Sequence, residues 1–173
     1  MSVLRADAQR NLDRILEAAA DAFAEVGPDV TMDEIARRAG VGHGTVFRRF
    51  PTKDDLMFAV IERRVEEMRA IAEESLAAPD PGQAFVDFVH RVAELSMSTP
   101  GLHKCVAQCG EKPGAAELEA LGTKIIARAQ KAGALRADID PAEVGPFIRD
   151  ALTAAPAGKW RTYLDVVLDG LRA

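Results

Sequence analysis

Apolar residues in this chain recur at intervals of three and four and almost nowhere in alternation, a period that confines the fold to helices. Leu12, Ile15, Leu16, Ala19, Phe23 and Val26 form one stripe that stops at Gly27 and Pro28. Thr31-Met32-Asp33-Glu34 then reads as a capping box: the Thr31 hydroxyl accepts the Glu34 backbone N–H while the Glu34 carboxylate reaches back to Thr31. The helix so started turns Ile35 and Ala36 inward and ends at Gly40. A short third helix fits His43 to Phe50, closed by Pro51, and Thr52 caps a long fourth helix running from Lys53 towards Ala78.

Pro79 and Pro81 interrupt the pattern again, with Asp80 as a cap and Pro81 as a first-turn proline. Helices follow at Gln83 to Thr99, in a short piece after Pro100, and at Ala115 to Lys131. Val144, Phe147, Ile148, Ala151 and Leu152 line the next one. Trp160, Tyr163, Leu164, Val167, Leu168 and Leu171 line the last, beyond an Ala155-Pro156-Ala157-Gly158 turn. With no β-branched alternating run and no internal repeat, the pattern predicts an all-α chain of about nine helices.

Composition narrows the function. At 173 residues with 48% apolar and 28% charged residues, the chain is of ordinary globular type and long enough to bury a core. No run of about 18 uncharged apolar residues is present, and no membrane partner is expected. The first stretch, MSVLRADAQRNLDR, is charged throughout and has no apolar centre, which predicts no secretory signal and a cytoplasmic setting. Cys105 and Cys109 sit four apart, a spacing that makes neither a disulfide framework nor a zinc site, so no metal or cofactor is expected. No Gly-rich phosphate loop, His-Glu pair at metal spacing or nucleophile signature occurs either, and the expectation is a protein without catalysis.

One segment is unlike the rest. Residues 40 to 53 read GVGHGTVFRRFPTK, and from Ile35 to Lys53 five positive side chains (Arg37, Arg38, Arg48, Arg49, Lys53) face no acidic one, although the whole chain has formal net charge -5. Its place is the turn and second helix of a helix, glycine-containing turn, helix unit, the shape of a DNA-reading module. Gly40 allows a left-handed helix end, while Gly42 and Gly44 keep the next helix start free of bulk, so a backbone can approach a surface there. Exposed N–H groups and a positive dipole end at that start suit phosphate. Val46 and Phe50 are read as core anchors, and Arg37 and Arg38 fit a solvated helix face as well as they fit phosphate contacts.

Residues 15 to 61, ILEAAADAFAEVGPDVTMDEIARRAGVGHGTVFRRFPTKDDLMFAVI, closely resemble the N-terminal domain of TetR-family transcriptional regulators. The likeness lies in the first-helix motif, the Thr before the second helix, the A-G-V turn, the G-T-hydrophobic-aromatic recognition helix and the F-P-x-K-x-x-L start of the fourth helix. QKAGALRADIDPAEV and WRTYLDVVLDGL are similar, more loosely, to segments of a subgroup of that family. The resemblance implies a DNA-binding domain over residues 1–52 and a helical effector-binding and dimerisation domain over 53–173, linked by the fourth helix. It implies a homodimer on a palindromic double-stranded operator, usually repressing until a small ligand binds. Carried over by position, His43, Gly44, Thr45 and Phe47 would face bases or sugars, with Gly42 beside them, and Thr31, Thr45, Arg48, Arg49 and Lys53 would hold phosphates. Gly42 stands where Ser is frequent, Phe47 where Tyr is frequent and Arg49 where His is frequent. Phe47 has no hydroxyl for phosphate, and Arg49 is placed to supply that contact. The competing reading is a helical protein-interaction module that uses this fold without specific DNA binding.

In the second domain the last two helices, with regular stripes and a short turn, form an antiparallel pair. Two copies would make a four-helix dimer interface through Phe147, Ala151, Trp160, Leu164, Val167 and Leu171. An effector pocket would lie among Met68, Phe85, Phe88, Met97, Leu102, Cys105, Cys109 and Phe147. His90, His103 and Gln108 are the polar groups available to orient a ligand. So apolar a lining favours a hydrophobic or aromatic effector.

Overall fold

The computed structural model describes residues 2–97, 114–156 and 158–173, and every described element is a helix except for one isolated pairing of Leu135 with Arg172. The helices are α1 (Ser2–Glu25), α2 (Met32–Ala39), α3 (His43–Arg49), α4 (Lys53–Ala77), α5 (Pro81–Met97), α6 (Ala115–Lys131), α7 (Pro141–Ala154) and α8 (Trp160–Leu171). The short helix expected after Pro100 falls outside the described residues. None of the described helices is long and apolar enough to cross a membrane.

The chain forms two compact units, and they divide between Arg64 and Val65, inside α4. In the first unit α1 packs on α2 and α2 on α3. Its core takes Ile15, Ala19, Ala22 and Phe23 from α1, Ile35 and Ala39 from α2, Val46 from α3, and Leu56 and Val60 from α4. The α1 stripe stops at Phe23, and Val26, expected as its last member, is 51% exposed because the helix has ended at Glu25.

The second unit is built by α5, α6, α7 and α8 with the C-terminal part of α4. Phe85, Phe88, Ile125, Val144, Ile148, Leu164 and Leu168 share its core. Asp-Pro pairs open two of these helices. Asp80 Oδ1 accepts the Gly82 and Gln83 N–H groups at 2.9 and 3.0 Å, and Asp140 Oδ1 accepts the Ala142 N–H at 2.8 Å. In each case the following proline occupies a position whose N–H would otherwise lack a partner. Arg128 of α6 closes the end of α4: Nη1 donates to the Ser75 and Leu76 carbonyls at 3.2 and 3.1 Å, and Nη2 donates to that of Ala78. The Leu76 and Ala78 carbonyls lie beyond the helix's own ladder, and the Ser75 carbonyl also accepts the Ala78 N–H at 3.4 Å.

Candidate nucleic-acid interface

α2 begins as its sequence predicts and then departs from it. Thr31 is the N-cap, with its hydroxyl oxygen accepting the Glu34 N–H at 3.2 Å. The Glu34 carboxylate, however, turns to its own helix and not back to Thr31. It accepts Arg37 Nε and Nη2 at 2.9 and 2.7 Å and Arg38 Nε at 2.8 Å, and Arg38 also reaches Glu25 of α1 at 2.6 Å. A guanidinium one turn away offers paired, charge-assisted donors where the Thr31 amide offers a single neutral one. Hydrogen bonds from Arg37 and then Arg38 hold the Glu34 carboxyl down at about 2. The reciprocal box occurs instead at the start of α4, where Thr52 N–H donates to Asp55 Oδ2 at 3.0 Å and Thr52 Oγ1 accepts the Asp55 N–H at 3.1 Å.

The turn after α2 is set by Gly40 at φ 64, a left-handed C-cap, with the Val41 N–H bonded to the Ala36 carbonyl at 3.1 Å. Gly42 precedes α3 with φ -68 and ψ 144 and supplies no side-chain cap. A Cβ on Gly44 would meet nothing within 4 Å, and one on Gly42 only Thr45 Oγ1 at 3.9 Å. The fold therefore does not require glycine at either position, and the space they leave opens outward.

α3 is held at few points. Val46 is fully buried, and Phe50 at the helix end is 7% exposed. His43, Gly44, Phe47, Arg48 and Arg49 are exposed, and Thr45 is half-buried. The His43 ring stacks on Phe47 with centroids 4.2 Å apart and planes inclined by 26°. Its Nδ1 pairs with Asp33 Oδ1 of α2, across the turn. Arg48 Nε donates to the Gly44 carbonyl at 3.0 Å, and Lys53 Nζ donates to the Pro28 carbonyl.

Of the five cations between residues 35 and 53, Arg37 and Arg38 are thus matched by Glu34 and Glu25. Among the described residues Arg48, Arg49 and Lys53 have no carboxylate partner. These three side chains, with His43, Phe47 and the bare Gly42 and Gly44, are gathered on α3 and at the start of α4. Asp33 is the residue the sequence reading misses. It lies ten positions before His43, and an acid in the first turn of a helix already has a sufficient reason to be there in the helix dipole.

The second unit rearranges the residues expected to act there. Phe85 and Phe88 are buried in the core, while Met68 and Met97 are half-buried. Leu102, Cys105 and Cys109, together with His103 and Gln108, lie outside the described residues. Phe147 does not join Phe85 and Phe88; it is 55% exposed. Leu164 and Leu171, expected in a dimer interface, are 0% and 3% exposed and so leave no surface for a partner. Trp160 and Val167 pack partly buried against the same core, and Ala151 is half-buried. α8 is apolar on two sides, and its outward side carries Tyr163 and Val166, 40% and 68% exposed. Among the described residues no cluster of three His, Cys, Asp or Glu side chains could hold a metal ion.

The chain matches two family models: bacterial regulatory proteins of the tetR family over residues 15–60, and the C-terminal domain of SbtR-like transcriptional regulators over residues 80–173. It is 29% identical over 170 residues to an HTH-type transcriptional repressor of Mycobacterium tuberculosis, spanning 92% of this chain and 79% of that protein. The crystal structure of a TetR transcription regulatory protein from Mycobacterium vanbaalenii superposes with a TM-score of 0.77 at 40% identity, covering 98% of this chain and 99% of that one. A TetR transcriptional regulator from Streptomyces coelicolor gives 0.71 at 31% identity over 92% and 97% of the two chains. With a helix-turn-helix built as described and the second model spanning more than half its length, the chain belongs to the TetR family of transcriptional regulators.

Proposed function

We propose that the protein is a repressor that binds a palindromic operator as a homodimer and leaves it when a small, largely apolar ligand occupies the second unit. The observation that carries this reading is α3 itself: an exposed helix with Arg48 and Arg49 unmatched by carboxylate among the described residues, next to glycines the fold does not need. Phosphate supplies the missing negative charge, and the space beside Gly42 and Gly44 lets the sugar-phosphate backbone come close. Lys53 would hold phosphate with the donors left free by its one bond to Pro28. The relative in Mycobacterium tuberculosis is a transcriptional repressor, which supports the sign of the response. The work is done in the cytoplasm, where the DNA is, and involves no catalysis.

Dimerisation is assigned to the outward face of α7 and α8, where Phe147, Tyr163 and Val166 are exposed. Aromatic residues of this kind are enriched at the centres of protein interfaces. α4 runs from the cation at Lys53 into the second unit, so it is the element through which ligand and operator are coupled. Footprinting should show a protected palindrome with half-sites roughly 34 to 36 Å apart along the duplex. Sedimentation should give a dimer that Val166→Lys dissociates. Ligand should weaken operator binding by about 1 to 3 kcal/mol, and operator should weaken ligand binding by the same factor. A monomer that binds one half-site with full affinity would overturn the reading.

A further inference from the structure

We infer that Asp33 is a positioning residue for base recognition: it fixes His43 as the Nδ1–H tautomer, so that the free Nε2 accepts a hydrogen bond from an exocyclic amine of adenine or cytosine. The inference rests on the reading of α3 as the helix that enters the major groove. The Asp33 carboxylate oxygen has no proton to give, so in the His43–Asp33 pair the hydrogen must sit on Nδ1. In a neutral imidazole the other nitrogen is then an acceptor only. Nε2 has no partner among the described residues, and the side chain is 60% exposed. Phe47 covers one ring face at a centroid distance of 4.2 Å, so the ring is restrained both at Nδ1 and at its face.

In the major groove adenine N6 and cytosine N4 are donors, whereas guanine N7 and O6 and thymine O4 are acceptors. An acceptor-only Nε2 therefore discriminates by the sign of the hydrogen bond and not by size. Guanine or thymine at that position would face it with two lone pairs and no hydrogen between them. Without Asp33 the ring can carry its hydrogen on Nε2, turn donor and take guanine.

The test has one arm without DNA and one with it. Long-range nitrogen-proton NMR at pH 8.5, where imidazole is ordinarily neutral, reports which nitrogen is protonated. The His43 signals are identified among the three histidines by their loss in His43→Ala. Nδ1–H is expected in the wild type and in Asp33→Asn, whose amide oxygen still accepts, and its loss is expected in Asp33→Ala. Selection from a random duplex library should then show one position per half-site that favours adenine or cytosine about tenfold over guanine, and the selected base tells which amine is bound. That preference should survive Asp33→Asn and broaden to guanine in Asp33→Ala.

An Nε2–H signal in the wild type would overturn the inference whatever the DNA result. So would an Nδ1–H signal accompanied by base preferences that Asp33→Ala leaves unchanged at every position. Retention of wild-type binding in those selections, with its loss in Arg48→Ala, keeps such failures separate from failure of the DNA-binding reading. A wild type that retains no duplex sinks both.

Discussion

α2 and α3 are neighbours of nearly equal length, eight and seven residues, and each carries two arginines in its last turn, yet their chemistry is opposite. α2 buries Met32, Ile35, Ala36 and Ala39, has a side-chain cap at Thr31 and closes both arginines onto carboxylates. α3 buries Val46 alone, has no side-chain cap and, among the described residues, leaves its arginines without carboxylates. The first helix is satisfied by the protein's own acids; the second, in the function proposed above, keeps its charge for the phosphates of DNA. Basic residues counted along a sequence therefore do not add up to a binding surface, because part of the charge is spoken for by acids brought near in space.

The largest expected effect comes from exchanging the two arginine pairs in turn. Arg48→Ala with Arg49→Ala removes four cations from the proposed dimer and should cost about 3 kcal/mol or more of operator affinity, with a salt slope shallower by about 3 to 4. The same double change at Arg37 and Arg38 should move that slope by less than about 1, since Glu34 and Glu25 already hold those charges. Fluorescence anisotropy titrations across a range of salt would show it, and equal slopes for the two double variants would erase the distinction between the helices.

Glycines give a second, smaller contrast. Gly44→Ala should stabilise the protein by about 0.5 to 1 kcal/mol, because alanine suits a helix and nothing lies within 4 Å of the new methyl. It should at the same time weaken operator binding by about 1 to 3 kcal/mol through crowding against the duplex. Gly40→Ala should do the reverse, destabilising the fold by about 1 kcal/mol or more at φ 64 while leaving the folded fraction competent to bind. Urea unfolding paired with anisotropy separates the two, and a Gly44→Ala protein that binds DNA as wild type does would mean that the space on α3 is incidental.

The smallest effect concerns Glu34. Its carboxyl is lowered in the folded state from 4.5 to about 2 by Arg37 and Arg38, so the stability it contributes is present above about 4.5 and is lost as pH falls towards 2. Thermal midpoints of wild type and Glu34→Gln should therefore differ at neutral pH and converge across that acid window. Parallel curves down to pH 2 would show that the arginines do not depend on this carboxylate.

Helical period, stops and caps are legible in the sequence because they are local: Phe23, Ile35 and Val46 reach the core from spacing, and Gly40 takes its left-handed turn where a stop is expected. The reach of the Glu34 carboxylate back to Thr31, expected from the sequence, does not form, since arginines three and four residues on compete with the cap for the same carboxylate. The His43–Asp33 pair was hidden, because it joins two helices across a turn and no period connects them. On α8 the spacing marks two apolar sides, and only the packing against α5 and α7 tells that Leu164 looks inward and Val166 outward.

The grip of Arg128 on the Ser75, Leu76 and Ala78 carbonyls has a mechanical meaning. It makes the end of α4 a pivot rather than a loose terminus. From Ser75 back to Val65, within the second unit, the helix is a stiff arm about 15 Å long, and a tilt of about 5° at the pivot carries Val65 by about 1.3 Å. A shift of that size exceeds the gap of about 0.5 to 1 Å that forfeits a quarter to a half of a contact's attraction, so the packing along this part of α4 registers a small rearrangement beside the pivot.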